Sequence, residues 1–157
     1  AIDAVVESDK GNPNKQCGIV LMHMQRDPLT MQFNPEYQNV VSEVMEFLSE
    51  RANLLLSKGV EQNRIALDPG FGFGKSLVHN LEMLAKFDRF SELGYPVLAG
   101  ISRKSMLGKI TGKEVDQRLS PSIAAAIMAA DRGAKIIRVH DVPDTVDALK
   151  LWEAVNA

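Results

Sequence analysis

RIALDPGFGFGKSLVHNLEMLAKF, residues 64–87, holds a complete strand, loop and helix in one stretch. Its apolar run, 64–68, does not alternate with period two, so it reads as a strand buried on both faces, as in a parallel sheet. DPGFGFGKS (68–76) supplies the loop, and Leu77, Leu81, Leu84 and Phe87 follow at helical spacing. The same grammar recurs along the chain. GIVLMH (18–23), PVLAGI (96–101) and KIIRV (135–139) are three further strand-like runs, with helical patterns between them. Asn34-Pro35-Glu36 has a capping Asn and a first-turn Pro, and the pattern it opens ends near Gly59. Within it, Tyr37, Val40, Val41, Val44, Phe47, Leu48 and Leu55 form one apolar stripe. Another helix opens at Ser120-Pro121 and runs through SIAAAIMAA to Gly133, its small side chains suited to close packing on a sheet. The last runs from Pro143 to about Val155, with Val146, Leu149 and Trp152 on one side.

Successive right-handed βα units build either an open doubly wound sheet or a barrel. Four of them account for half of a (β/α)8 barrel of roughly 250 residues. The expected fold is therefore α/β: a (β/α)4 half-barrel with four parallel strands, one domain over residues 1–157. AIDAVVES at the start reads as mid-helix and has no initiating Met, which suggests a fragment, and SDKGNPNKQ (8–16) reads as an exposed loop.

Composition narrows the function. With 45% hydrophobic and 24% charged residues the chain can bury an ordinary core. A net charge of −2, with Lys and Arg dispersed, lacks the basic footprint of a nucleic-acid binder. No apolar run reaches the roughly 20 residues of a membrane span. The single cysteine, Cys17, excludes an internal disulfide, is expected to be a buried structural thiol, and fits a cytoplasmic protein.

Polar residues collect after each strand-like run: His23, Gln25 and Arg26; Asp68 to Lys75; Ser102 to Ser105; Arg138 to Asp141. In βα folds these strand ends converge on one face, where barrel enzymes place their sites. DPGFGFGKS is not a nucleotide phosphate loop, because Pro69 stands where the Walker pattern needs a glycine and has no N–H to offer. Gly70, Gly72 and Gly74 also miss the dinucleotide spacing. What remains is a close-approach loop with an acid at its base and two exposed aromatic rings, suited to a planar ligand bearing hydrogen-bond donors. In GISRKSMLG (100–108), Gly100 leaves room for a flat ring; Arg103 and Lys104 are either a solvated pair or point into the site. Arg138 and His140, two residues apart, suit an anion clamp. His79, inside a helix, reads as structural and His23 as ambiguous; no zinc-like ligand cluster is present.

LMHMQ (21–25), DPGFGFGK (68–75), SRKSMLG (102–108) and RVHDV (138–142) resemble, in order and spacing, the C-terminal half of bacterial dihydropteroate synthases. That resemblance covers nearly the whole chain. It implies half of a TIM barrel from a transferase that joins 6-hydroxymethyl-7,8-dihydropterin diphosphate to 4-aminobenzoate, releasing diphosphate, and that sulfonamides target. By the same carry-over Met22, Asp68, Gly100 and Lys104 would bind the pterin, and Phe73, Lys104 and Ser105 the aminobenzoate. Arg138 and His140 would hold diphosphate, with Lys104, Arg138 and His140 as the catalytic set. Mg2+ would assist from a ligand in the missing N-terminal half, and the resemblance implies a homodimer. A non-catalytic, self-associating half-barrel and a pterin-binding methyltransferase domain are the alternatives.

Overall fold

The computed structural model describes residues 17–25 and 35–157. Strands β1 (Ile19–Met22), β2 (Ile65–Asp68), β3 (Leu98–Ala99) and β4 (Ile136–Ile137) are all parallel. β1 pairs with β2 from Ile19↔Ile65 to Met22↔Asp68, and β3 pairs with β4 at Leu98↔Ile136 and Ala99↔Ile137. A parallel bridge between Leu67 and Val97, with Leu67 N–H donating to the Pro96 carbonyl at 2.9 Å, joins the two pairs in sequential order.

Helices alternate with these strands: α1 (Val40–Ser57), α2 (Leu77–Ala85), α3 (Ser105–Thr111), α4 (Leu119–Asp131) and α5 (Val142–Asn156). Short α3, between β3 and α4, interrupts the simple one-helix rhythm that the sequence suggests. α1 starts at Val40, not at Asn34-Pro35-Glu36: Asn39 is the cap and accepts the Ser42 N–H, while Glu43 accepts the N–H groups of Gln38 and Asn39. Asn34, Arg26 and the 1–16 segment, including the helix and loop expected there, lie outside the described residues. At its other end α1 stops at Ser57, with Lys58 as its cap, two residues before Gly59, whose φ of +85° ends the helix as expected.

Burial follows position in the sheet. β2 and β3 are buried along their whole length, whereas Val20 of β1 is 47% and Ile136 of β4 39% exposed. The expectation that all four runs are buried on both faces therefore holds only for the central pair; the outer two are edge strands among the described residues. α1 contributes Val40, Val41, Val44, Leu48, Ala52 and Leu55 to the core. α4 lies close through Ala125, Ala126, Ala129 and Ala130, small side chains that let its backbone approach. α2 buries Asn80, Met83 and Leu84 and leaves Leu81 exposed, so its inward face is rotated from the leucine stripe read in the sequence. Cys17 is exposed, contrary to the buried thiol expected.

Candidate active site

The hydrogen-bond ladder runs one residue past the strands. His23 N–H donates to the Asp68 carbonyl and Arg138 N–H to the Ala99 carbonyl, each at 3.0 Å, which brings the residues after β1, β2, β3 and β4 onto one face. There a cavity of about 370 Å³ is lined by Met22, Phe73, Gly100, Ser102, Lys104, Arg138, Val139 and His140. Six of the eight residues singled out in the sequence line it. A wider hollow of about 880 Å³ lies at the start of α1, beside Tyr37, Glu43 and His79. It gathers no strand-end residues, so the chemistry belongs to the smaller cavity.

Asp68 sits just behind that cavity, fully buried. One carboxylate oxygen accepts the Gly70 N–H at 2.8 Å and the other pairs with Arg138 Nη2 at 2.8 Å. Burial pushes the Asp68 carboxyl up; the Gly70 N–H and the Arg138 charge oppose that rise. Arg138, half-exposed, lies against Gly100: a Cβ there would come within 2.6 Å of Nη2. The flat space left by Gly100 is thus filled by the planar guanidinium itself. His140 is tied to Ser102, whose hydroxyl lies 3.0 Å from His140 Nδ1 and accepts the His140 N–H.

The Arg103 and Lys104 pair divides. Arg103 has a φ of +56°, unusual for a side chain with a Cβ. Its guanidinium donates to both oxygens of Asp141, its N–H to Ser122 Oγ, and its carbonyl accepts from Arg118. Hydrogen bonding from Arg103 holds the Asp141 carboxyl low. With Arg103 locked away from the cavity, the next residue is turned into it, and Lys104 Nζ stands 4.0 Å from the centre of the Phe73 ring. Burial and then the Arg138 charge push the Lys104 amine down. Ser105 opens α3, is exposed, and does not line the cavity, so the structure does not bring it to the other site residues.

Two expectations about the glycine loop are corrected. Phe71 is not an exposed ring: it is 1% exposed and stacks on Phe87 in the core, with 6.2 Å between centroids. Phe73 alone faces the cavity. Lys75, one of the polar residues after β2, is turned into the loop rather than the cavity, 4% exposed, with Nζ 2.9 Å from His23 Nδ1 and 3.0 Å from the carbonyls of both Gly70 and Phe73. Burial, reinforced by Lys104 and resisted by Asp68, brings its amine down to about 7. His23, packed edge-on against Phe47 at 4.9 Å, is lowered to about 4 by burial and then by Lys75. Towards a protonated Lys75, His23 accepts at Nδ1. Asn80, also buried, accepts the Gly72 N–H at 2.8 Å. His79 is structural, completing a reciprocal cap with Ser76 at the start of α2. Sequence reading missed Asn80, and it gave Ser102 and Lys75 no role of their own. The available signal was their place beside residues already singled out.

The sequence pattern of the family described as pterin binding enzyme matches residues 13–140. The chain belongs to that family. Among pterin-binding enzymes it is 52% identical over 136 residues to a dihydropteroate synthase of Haemophilus influenzae, covering 87% of this chain and 50% of that protein. The crystal structure of dihydropteroate synthase from Stenotrophomonas maltophilia superposes with a TM-score of 0.91 at 46% identity, over 99% of this chain and 57% of the other. That of the Xanthomonas albilineans enzyme in complex with 7,8-dihydropteroate gives 0.87 at 45% identity, over 99% and 56%. The chain spans about half the length of the curated relatives it matches, and its four parallel strands and their helices are half of the family's barrel.

Proposed function

We propose that this segment forms half of the catalytic face of a dihydropteroate synthase, condensing a dihydropterin diphosphate with 4-aminobenzoate to give 7,8-dihydropteroate and diphosphate. The observation that carries the reading is the single cavity at four strand ends that gathers Met22, Phe73, Gly100, Lys104, Arg138 and His140. Asp68, below it, suits the amino and ring N–H donors of a pterin. One of its oxygens is free for a ligand once Arg138 lets go, while the Gly70 N–H keeps the other in place. A pterin settling on Gly100 would take over from the guanidinium both its space and its carboxylate. Arg138 would then be released at the cavity mouth beside His140, where a diphosphate needs neutralising. The C–O bond at the pterin's exocyclic carbon breaks with its electron pair going to diphosphate; the arylamine lone pair forms the new C–N bond, and the amine loses a proton. Lys104, over Phe73, stands between the two substrates, and the protein acts by positioning and charge stabilisation. On this geometry Ser105 would reach the aminobenzoate carboxylate only at the cavity's outer rim.

No group of three or more His, Cys, Asp or Glu side chains that could hold a metal lies among the described residues, and Asp68 is committed to Arg138 and Gly70. These residues by themselves do not fit a Mg2+ site.

The relatives that this chain matches are about twice as long, so the rest of the site would come from their remaining residues. The 157-residue chain alone is expected to form dihydropteroate at less than about a thousandth of the rate of the full-length protein. Comparable turnover by the two, followed with both substrates and Mg2+, would refute the split-site reading.

A cytoplasmic homodimer belongs to the same proposal. It is supported by the exposed apolar residues Val142, Leu151 and Val155 of α5, and by the exposed free Cys17, which suits a reducing compartment. Among the described residues no helix is long and apolar enough to cross a membrane. Light scattering of the full-length protein should give twice the chain mass, and cell fractionation should recover it in the soluble cytoplasmic fraction. A monomer at micromolar concentration, or recovery in another compartment, rejects the corresponding part.

A further inference from the structure

We propose that Lys75 is a positioning residue for the arylamine substrate: held inside the glycine loop by two loop carbonyls and His23, its amine fixes the Phe73 ring as a wall of the cavity. The proposal rests on the functional reading above for the identity of that substrate. Its structural part stands on the loop alone.

Lys75 Nζ has three partners, His23 Nδ1 at 2.9 Å and the carbonyls of Gly70 and Phe73 at 3.0 Å: an ammonium donates to all three, and the neutral amine still has one hydrogen for each carbonyl and a lone pair facing His23. Those two carbonyls bracket the tip of the loop, and Gly70's also accepts the Phe73 N–H at 3.2 Å. From below, Asn80 Oδ1 takes the Gly72 N–H. The backbone from 70 to 73 is therefore wrapped round one buried amine, and the φ of +74° at Gly70 brings the chain close over the His23 carbonyl, where a Cβ would collide. Wrapped in this way, Phe71 points into the core and Phe73 out, under Lys104. The charged and titratable groups facing Lys75 are His23 after β1, Asp68 at the end of β2 and Lys104 at the start of α3. Only Asp68 favours its charge. A buried amine in such company is an expensive way to hold a loop. A methionine of similar reach would fill the space at lower desolvation cost but could bind neither carbonyl.

The test compares Lys75→Met and Lys75→Arg with the unsubstituted full-length protein, varying each substrate in turn. Lys75→Met is expected to raise KM for 4-aminobenzoate about tenfold while KM for the dihydropterin diphosphate stays within about twofold. Lys75→Arg, too bulky to sit between three acceptors, is expected to behave in the same direction. Hydrogen exchange at the amides of residues 70–73 should quicken about tenfold in Lys75→Met with no change in β2. A role confined to stability would lower the active fraction and leave both KM values alone. The proposal is overturned if both KM values rise together, if neither moves, or if exchange at 70–73 is unaffected. Should neither variant fold, the unsubstituted protein still decides: amides at 70–73 that exchange as fast as an exposed loop rule out the clamp. If the unsubstituted protein makes no dihydropteroate, the functional reading fails and the exchange data alone judge the loop.

Discussion

Arg138→Ala in the full-length protein is expected to lower kcat/KM for dihydropteroate formation by about a thousandfold, roughly 4 kcal/mol of transition-state stabilisation. The effect is large because one side chain has two tasks. At rest the guanidinium covers Gly100 and pairs with Asp68. During turnover it would carry the charge of the departing diphosphate in company with His140. Alanine does neither: the diphosphate loses its fork of donors, and buried Asp68 keeps only the Gly70 N–H until a pterin arrives. As the guanidinium is half-exposed and belongs to no core contact, the variant should stay folded, with an unchanged circular dichroism spectrum. Steady-state kinetics of the purified variant check this directly; a loss under tenfold would remove Arg138 from the chemistry. Arg138→Lys should recover little, since a point charge cannot reach carboxylate or diphosphate with two parallel bonds.

Stability is expected to rise as pH increases from about 7 to 10, against the usual expectation of a maximum between about 5 and 8. Lys75 ordinarily titrates at 10.5 and is lowered to about 7 in the folded protein. Between those values the unfolded chain holds a proton that the folded one has released, so the slope of unfolding free energy with pH is positive. The contribution is absent as a penalty above 10.5, grows as pH falls, and is complete below 7, roughly 3–5 kcal/mol in all. Lys104, also lowered, adds in the same sense. Tyr37, raised from 10.0 to about 12 by burial and by Glu43, reverses the trend above 10 because the folded state then holds the extra proton. On the acid side, His23 costs stability as pH falls from 6.5 to about 4, while the raised Asp68 carboxyl acts oppositely, so the alkaline limb is the cleaner reading. Urea unfolding midpoints measured from pH 6 to 11 should climb to a maximum near 10. In Lys75→Met the climb should flatten; a flat profile in the unsubstituted protein would mean that Lys75 is not desolvated.

The βα order, the parallel sheet and the face that carries the site were legible because they are properties of short stretches. RIALD is a strand in any setting that buries it, and Pro69 lacks an N–H wherever it sits. Helix boundaries were less legible, since Asn34-Pro35-Glu36 and Asn39 spell the same start, and only the packing of Val40 and Val41 against the sheet selects the second. Phe73, Gly100, Lys104, Arg138 and His140 stood out by their place in or beside the loops after strands, Met22 was added only by the family resemblance, and all six share one cavity.

Side-chain direction within the loops needed three dimensions. Phe71 and Phe73 have the same neighbours in sequence, yet one ring joins Phe87 in the core and the other meets Lys104. Arg103 and Lys104 are adjacent cations, and the acid that decides between them, Asp141, is 38 residues away. Lys75 looks like a ligand-seeking cation until His23 is brought against it by the pairing of β1 with β2. The sequence by itself determined the elements, their order and the end of the sheet where chemistry collects, because backbone preference and hydrophobic period are local. Tertiary structure alone decided which charge faces the cavity and which is spent holding the loop, because that choice depends on partners distant in the chain.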